Sequence, residues 1–450
     1  MITRAQCKRI IDLATAHGKG ECDGIEVTIS ASDLATSRFA NNEMTQNQSP
    51  YAVAVSVRAV VDGRQARISA NDTTPAGVRR LVDNAIVAAR LLEKDPELLP
   101  LYSPSAAGHV CIPVNQYDAR TARCGASERA RAVAAIIAVA RASKLNASGV
   151  FATGSHVTAI GNSEGLFGFH RRTEAECSIT MTGPDSSGWS KDNQTRASLI
   201  DARSLAEIAA KKALASANPI EIPAGRYDVI LEPAAVLDLL GFLWQDFTGT
   251  SVTDKLSCFL DKVGQKMLGD NITIVDDVTN QAQAGEPFDG EGLPRKTIVL
   301  VENGVIANLV HGRRSAARFG VQPTGHGLPE PSTYGEAPLN VVVSGGNTSL
   351  DEMIRTSEKA ILLTRVWYVR EVDPMTKIVT GMTRDGTFLV ENGKVTAGVK
   401  NLRFNVSLID MLNKVVALGR TQRTSGEETY PAVVPAMKVA DFNFASTTRF

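Results

Sequence analysis

SPYAVAVSVRAVVDGRQARISANDTTPAGVRRLVDNAIVAARLLEK, residues 49–94, changes its hydrophobic period once, and that change decides the fold class. From Tyr51 to Ala70 apolar and polar residues alternate, as they do in a strand with one buried face. Asp62-Gly63 interrupts the run where a two-residue hairpin turn needs positive φ. Asn71, Asp72, Thr73 and Thr74 then offer capping side chains ahead of Pro75, a first-turn residue. Beyond it Val78, Leu81, Val82, Ile86, Val87, Leu91 and Leu92 recur at helical spacing and form one continuous face. A hairpin followed by an amphipathic helix predicts a helix layer on an antiparallel sheet, an α+β arrangement.

The same reading extends in both directions. Residues 2–18 have Ile2, Ile10, Ile11, Leu13 and Ala14 near helical spacing, ended by Gly18 and Gly20. GIEVTIS from Gly24 alternates as a strand. Residues 94–112 are rich in Pro and Ser and predict a connecting loop. An Ala-rich helix is expected over 126–143, strands over FATGSHVTAIGNS, GLFGFHRRTEAECSITMTG and SGWSKDNQTR, and a further helix over 202–217. Pro219, Pro223 and Gly225 then mark a boundary near 220. The expected division is an α+β domain over 1–220 and a mostly antiparallel β domain with few helices over 221–450. In the second half only 233–245 and about 406–418 read as helical. Glu302-Asn303-Gly304, Arg384-Asp385-Gly386 and Glu391-Asn392-Gly393 separate strand candidates as hairpin turns.

Lys+Arg and Asp+Glu both number 48, so the chain lacks the basic excess expected of a nucleic-acid-tracking protein. No stretch approaches the roughly 20 apolar residues of a membrane span. The N-terminus has no continuous apolar core of a signal peptide. Cys7, Cys22, Cys111, Cys124, Cys177 and Cys258 are scattered without a C-x-x-C pair. They read as reduced thiols, and the chain as cytoplasmic.

Hydrolytic motifs are absent from the sequence. HExxH, HExxxH, G-x-S-x-G and the phosphate-binding P-loop do not occur, and no two of His17, His109, His156, His170, His311 and His326 lie within one helical turn. Cys258 stands in the apolar run KLSCFLDKV, which suits a packed thiol. Asp276-Asp277 and Glu371-Val372-Asp373 are paired carboxylates of the kind loops commonly expose to water. PTGHG, residues 323–327, could either hold a ligand against backbone N–H groups or form a tight turn bearing His326. HGRRSAARFG, residues 311–320, brings Arg313, Arg314 and Arg318 together. Their planar forks suit a peptide carboxylate, and a salt-bridged surface strand is the alternative.

Five segments taken in order resemble the TldD/PmbA family over nearly the whole chain: VRAVVDGRQARISANDTTPAGVRRLVDNAIVAAR, IGNSEGLFGFHRRTEAECSI, PAGRYDVILEP, VENGVIANLVHGRRSAARFGVQPTGHG and VDPMTKIVTGMTRDGTFLVENGKVTAGVKNLRFN. Members that resemble TldD carry HExxxH on a helix directly after the segment corresponding to VILEP, and a cysteine near the C-terminus. These bind a catalytic metal, with the glutamate as general base. Members that resemble PmbA, also called TldE, lack those groups and pair with a TldD-like chain.

Aligned on Pro233, this chain has Gly241 and Phe242 where the His-Glu would stand and Asp246 at the second histidine, and TQRTSGEETYP around Arg423 has no cysteine. The resemblance therefore implies a metal-free, non-catalytic subunit with zinc in a TldD-like partner and unfolded peptides as substrate. A stand-alone homodimeric peptide-binding scaffold is the second expectation, and a hydrolase built on His326, His311 or Cys258 the third. The near-continuous apolar character of Val236, Leu237, Leu239, Leu240, Phe242, Leu243 and Trp244 predicts that the vacated metal position is filled by packing. Arg313, Arg314, Arg318 and His326 are the expected peptide contacts. The family's association with DNA gyrase control implies no DNA contact of its own.

Overall fold

The computed structural model describes residues 1–104, 111–283 and 285–448. Its first half contains α1 (Arg4–Gly18), β1 (Gly24–Ala40), β2 (Glu43–Gln48), β3 (Tyr51–Val61), β4 (Arg64–Ala70), α2 (Pro75–Leu91), α3 (Ala126–Ala142), β5 (Asn146–Asn162), β6 (Phe167–Thr182), β7 (Ser187–Gln194) and α4 (Ala202–Ala215). Local chemistry sets the helix starts. Thr3 and Gln6 form a reciprocal capping box on α1, and the Thr74 side chain accepts from the Gly77 N–H ahead of α2. Between β3 and β4, Asp62 and Gly63 take φ of 47° and 73°, the positive pair a tight hairpin needs. Part of the expected 94–112 connection, residues 105–110, lies outside the described residues.

These strands form one antiparallel sheet ordered β4-β3-β1-β5-β6-β7, with β2 on β1. The two-residue period of the strands gives it two unlike faces. Val27, Ile29, Val55, Val57 and Ala159 pack under α1 and α2, while Phe151, Cys177 and Ile179 pack under α3 and α4. The alternate positions, including Glu26, Arg58, Arg67, His156, Arg172 and Glu174, are polar. They turn toward the second half of the chain, where Arg67 donates to the Glu330 carbonyl, Thr158 to Glu286 and Arg423 to Asn193.

The second half contains β8 (Gly225–Leu231), α5 (Pro233–Leu240), α6 (Gly249–Thr253), β9 (Ile274–Asp276), β10 (Ile298–Glu302), β11 (Val305–Ile306), α7 (Arg313–Phe319), β12 (Val341–Val343), α8 (Leu350–Arg355), β13 (Lys359–Asp373), β14 (Ile378–Glu391), β15 (Lys394–Gly398), β16 (Leu402–Ser407), α9 (Leu408–Asn413), β17 (Val415–Leu418), β18 (Gln422–Thr424), β19 (Ala432–Val434) and β20 (Met437–Thr447). One sheet runs β11-β10-β9-β12-β19-β18. The other runs β13-β8-β20-β16-β14-β15, and a β13–β14 pairing closes five of its strands into a ring. One hydrophobic core joins both sheets around α5.

The fold class is α+β, as the alternating and helical periods predicted. Details of the second half differ. Two strand pairs, β8–β13 and β12–β19, are parallel. The segment read as a helix over 406–418 is helical only at Leu408–Asn413 and returns to strand at Val415. HGRRSAARFG forms α7, ended by Gly320 at φ 67°, and not a surface strand. Helices of five to seven residues, such as α6, α7 and α8, span too few turns for a period to declare itself. Gly63 has room for a methyl group but not the dihedrals for one. Gly63→Ala is therefore expected to cost about 1–2 kcal/mol in urea unfolding, with an unchanged circular dichroism spectrum.

Candidate functional site

β8 ends at Leu231, Glu232 stays extended, and Pro233 opens α5. Every residue from Ala234 to Leu240 is buried, including Asp238, which is 0% exposed. A carboxylate sealed from water must find donors. Asp238 finds them in the backbone of 427–428: its Oδ1 accepts from the N–H groups of Glu427 and Glu428, both at 2.9 Å. Burial pushes its carboxyl up to about 6. The two N–H groups oppose that shift, and the charges of Glu427 and Glu428 add to it. Gly426 is required here, because a Cβ would lie 2.0 Å from Asp238 Oδ1.

The loop so fixed fills the space above Gly241. A Cβ on Gly241 would stand 2.7 Å from Thr429 Cβ. The loop is also held from the other half of the chain, where Lys191 donates to the Gly426 carbonyl at 2.9 Å and Ser425 to Glu176 at 3.1 Å. After α5 a tighter 3-10 turn covers Gly241–Phe247, placing Phe242 at the rim of the core and Leu243, Trp244 and Phe247 inside it.

Asp246 is buried and forms an ion pair with Lys377 at 2.6 Å. Its Oδ1 accepts from the Cys258 N–H at 2.9 Å. Lys377, also buried, pairs with Glu371 at 2.7 Å. Burial pulls the Lys377 ammonium down, but the two carboxylates outweigh it and hold it above the ordinary lysine range. The expected apolar filling is therefore half of the picture. Leu, Trp and Phe surround the position, but two buried carboxylates organise it. Asp238 was the visible anomaly, a lone acid in AAVLDLLGFLW. Nothing near Asp246 in sequence points to Lys377.

The expected peptide contacts are all engaged within the chain. Arg313 pairs with Glu291 at 3.0 Å and donates to the Pro100 carbonyl at 2.7 Å. Arg314 pairs with Asp95 at 2.6 Å, and Arg318 Nε donates to Glu97 at 2.8 Å. All three project from α7 onto the segment that follows α2, where they tie the two halves together. His326 is 0% exposed, between Asp276 at 3.1 Å and Thr324 at 2.9 Å. In PTGHG the Gly327 N–H donates to Asp289 at 2.9 Å, so the oxyanion that this loop holds is the chain's own. His311 is buried against Phe319, which lowers its pKa, and burial raises the Cys258 thiol. Of the paired carboxylates, Asp277 accepts from Thr279 and Asp373 from the N–H groups of Met375 and Thr376. The site also has an opening. A cleft of about 350 Å³ runs between β7 and β18 beside the start of α5, lined by Trp189, Lys191, Asp192, Gln194 and Ser425.

The α+β fold, with a buried helix directly after a central strand, recurs in solved structures. Over 98% of this chain and 100% of the other, it superposes on TldE from Thermococcus kodakarensis with a TM-score of 0.86 at 18% identity. A protein from Thermotoga maritima described as a modulator of a DNA gyrase gives 0.83 at 18% identity over 98% and 99%. The sequence matches PmbA/TldA metallopeptidase domain 1 over 26–89, the central domain over 117–217 and the C-terminal domain over 224–446. The chain belongs to the TldD/PmbA family. It is 22% identical to Metalloprotease PmbA of Escherichia coli O157:H7 over 96% of this chain and 95% of that one. Against a metalloprotease of Methanothermobacter thermautotrophicus it is 27% identical over 44% of this chain, a match that spans only 43% of that relative's length.

A family zinc would need about three nitrogen, sulfur or oxygen ligands and an open position. Gly241 has neither a side chain nor room for one, Phe242 offers carbon, and Asp246 is committed to Lys377 and the Cys258 N–H. The residues at these positions do not fit the ion.

Breaking the Asp246–Lys377 pair from one side strands a buried charge, so Lys377→Met should cost roughly 3–5 kcal/mol in urea unfolding. Asp246→Leu/Lys377→Met should recover most of that loss. For Asp238, the folded state holds the proton more tightly than the unfolded one. Its contribution is full below the ordinary carboxylate range near about 4 and is lost as pH rises through about 6. Asp238→Asn should therefore gain stability relative to the parent between pH 4.5 and pH 7. A gap that stays constant with pH would contradict this.

Proposed function

We propose that this chain is a metal-free, non-catalytic subunit that works with a TldD-like, HExxxH-bearing partner in the cytoplasm to bind and degrade unfolded peptides. One observation carries the reading: the position aligned with the first histidine is packed shut against Thr429, and the position aligned with the second is an aspartate ion-paired to a lysine. Zinc and the general base belong to the partner in this scheme. The likeness to TldE and the full-length match to PmbA support the subunit role.

The cleft along β7 supports a mode of peptide binding. β7 pairs with β6 on one side, and no strand of the described residues pairs with its other edge. An extended peptide can add there through main-chain hydrogen bonds. Trp189, Lys191 and Asp192 would supply side-chain contacts. None of the helices among the described residues is long and apolar enough to cross a membrane.

Co-expression with the TldD-like chain of the same host tests the proposal. The expected result is a stable complex whose chelator-sensitive hydrolysis of an unfolded peptide exceeds that of either chain by at least tenfold. A homodimer that binds peptide and ignores the TldD-like chain would favour the scaffold role instead. Chelator-sensitive hydrolysis by the isolated chain would refute the non-catalytic role.

A further inference from the structure

We propose that a cavity between the two halves of the chain binds a small oxyanion, a carboxylate or a phosphate, on the guanidinium of Arg295. The cavity has a volume of about 260 Å³, and its walls include Arg172, Glu174, Glu286, Arg295, Arg423 and Tyr430. At about 30 Å³ per water it has room for more than one molecule of solvent. It lies across Arg423 from the cleft along β7 and is distinct from it.

Arg295 is 5% exposed, and its Nε and Nη1 are shielded from solvent without a hydrogen-bond partner. Among the described residues it has no ion pair within 4 Å either. The other four buried arginines each have a hydrogen-bond acceptor, and Arg58 Nη1, which has none, stands 3.6 Å from Glu26. Arg58 donates to Gln65, Arg129 to Ser37 and the Cys124 carbonyl, Arg365 to Asp385, and Arg423 to Asn193 and the Ala282 carbonyl. A buried guanidinium left without acceptors is costly, and a chain that keeps one has a use for an acceptor from outside.

Asp276 and Asp289 lie near enough to act on Arg295 through charge. Their oxygens are taken, however. Asp276 holds His326 and Asn340, and Asp289 accepts from the N–H groups of Glu291, Leu293 and Gly327. The planar fork of Arg295 therefore has carboxylates near it and no acceptor among the described residues, which suits a bidentate oxyanion. Arg172 spends Nη1 on Glu174 and adds a second positive charge to the same wall.

The lining carboxylates set the preference. Glu174 is ion-paired to Arg172 and accepts from Asn193, with His156 Nε2 3.3 Å away. Glu286 accepts from Thr158 with one oxygen, and its charge disfavours a dianion. A monoanionic carboxylate, such as the terminus of a short peptide or a small organic acid, fits better than phosphate.

The site lies within this chain, so its test needs no partner. Thermal melting of the full chain is followed against sodium acetate, inorganic phosphate, alanylalanine and alanylalanine amide, each at constant ionic strength against chloride. Acetate and alanylalanine should raise the melting temperature in a saturable way, while the amide should not. A shift with phosphate alone would assign the site to phosphate and still support an oxyanion site. Arg295→Met should lose the shift or weaken binding at least tenfold, and without ligand should melt no lower than the parent. Arg295→Lys keeps the charge but not the fork, and should weaken acetate binding while folding normally. The proposal is overturned if no probe shifts the melt beyond chloride. It is also overturned if either variant keeps the parent's response, or if crystals grown in acetate show water alone on Arg295.

Discussion

The Asp238 carboxylate, shut away from water inside α5, can stay there only while the backbone at 427–428 donates to it. That one constraint fixes the loop, and the loop places Thr429 over Gly241. Position 241 then has to be glycine, because a side chain there would meet Thr429. Asp246 and Lys377 close the other end of the site by the same rule, each buried charge held by a partner within the chain. The position is thus occupied by a polar network of its own, with apolar side chains packed around it.

Such networks are a means of specifying geometry more than of adding stability, since a buried ion pair roughly breaks even against an apolar replacement while half a pair is destabilising. The same logic runs along the seam between the halves. The N-terminal sheet is apolar mainly on its helix side, with Ile160 packed against Leu166 and Phe288 on the other. Its other face meets the second half through Arg67, Thr158, Lys191 and Asn193, the last accepting from Arg423 of β18, with α7 adding Arg313, Arg314 and Arg318 from across the seam. A seam built mostly of polar and charged side chains, with one small apolar cluster at Ile160, Leu166 and Phe288, can be specific without being oily. It leaves water-sized and larger spaces between its side chains, and both openings described above lie along it.

The hydrophobic periods made the α+β class, the first-half helices and the hairpin at Asp62-Gly63 legible, because each spans enough residues for a period or a turn rule to act. The short helices α6, α7 and α8 of the second half were not legible, nor were the two parallel strand pairs, which join residues more than a hundred positions apart in β8 and β13. At the site, the sequence shows no histidine between His170 and His311. The partners of Asp238 and Asp246 could not be seen there, because Lys377 and the 425–430 loop reach this region only through tertiary structure. Arg313, Arg314 and Arg318 show the converse. Their clustering is real, but their partners are Glu291, Asp95 and Glu97 of the chain itself, and a pattern of cations does not say where the anions are.

The most direct measurement is the metal content of the purified chain after growth with added zinc, determined by mass spectrometry alongside a TldD-like relative prepared in the same way. If Asp238 and Asp246 hold the site as described, the relative carries about one zinc per chain and this chain carries only a small fraction of one. A full equivalent of zinc in this chain, lost on Asp246→Ala, would contradict that description.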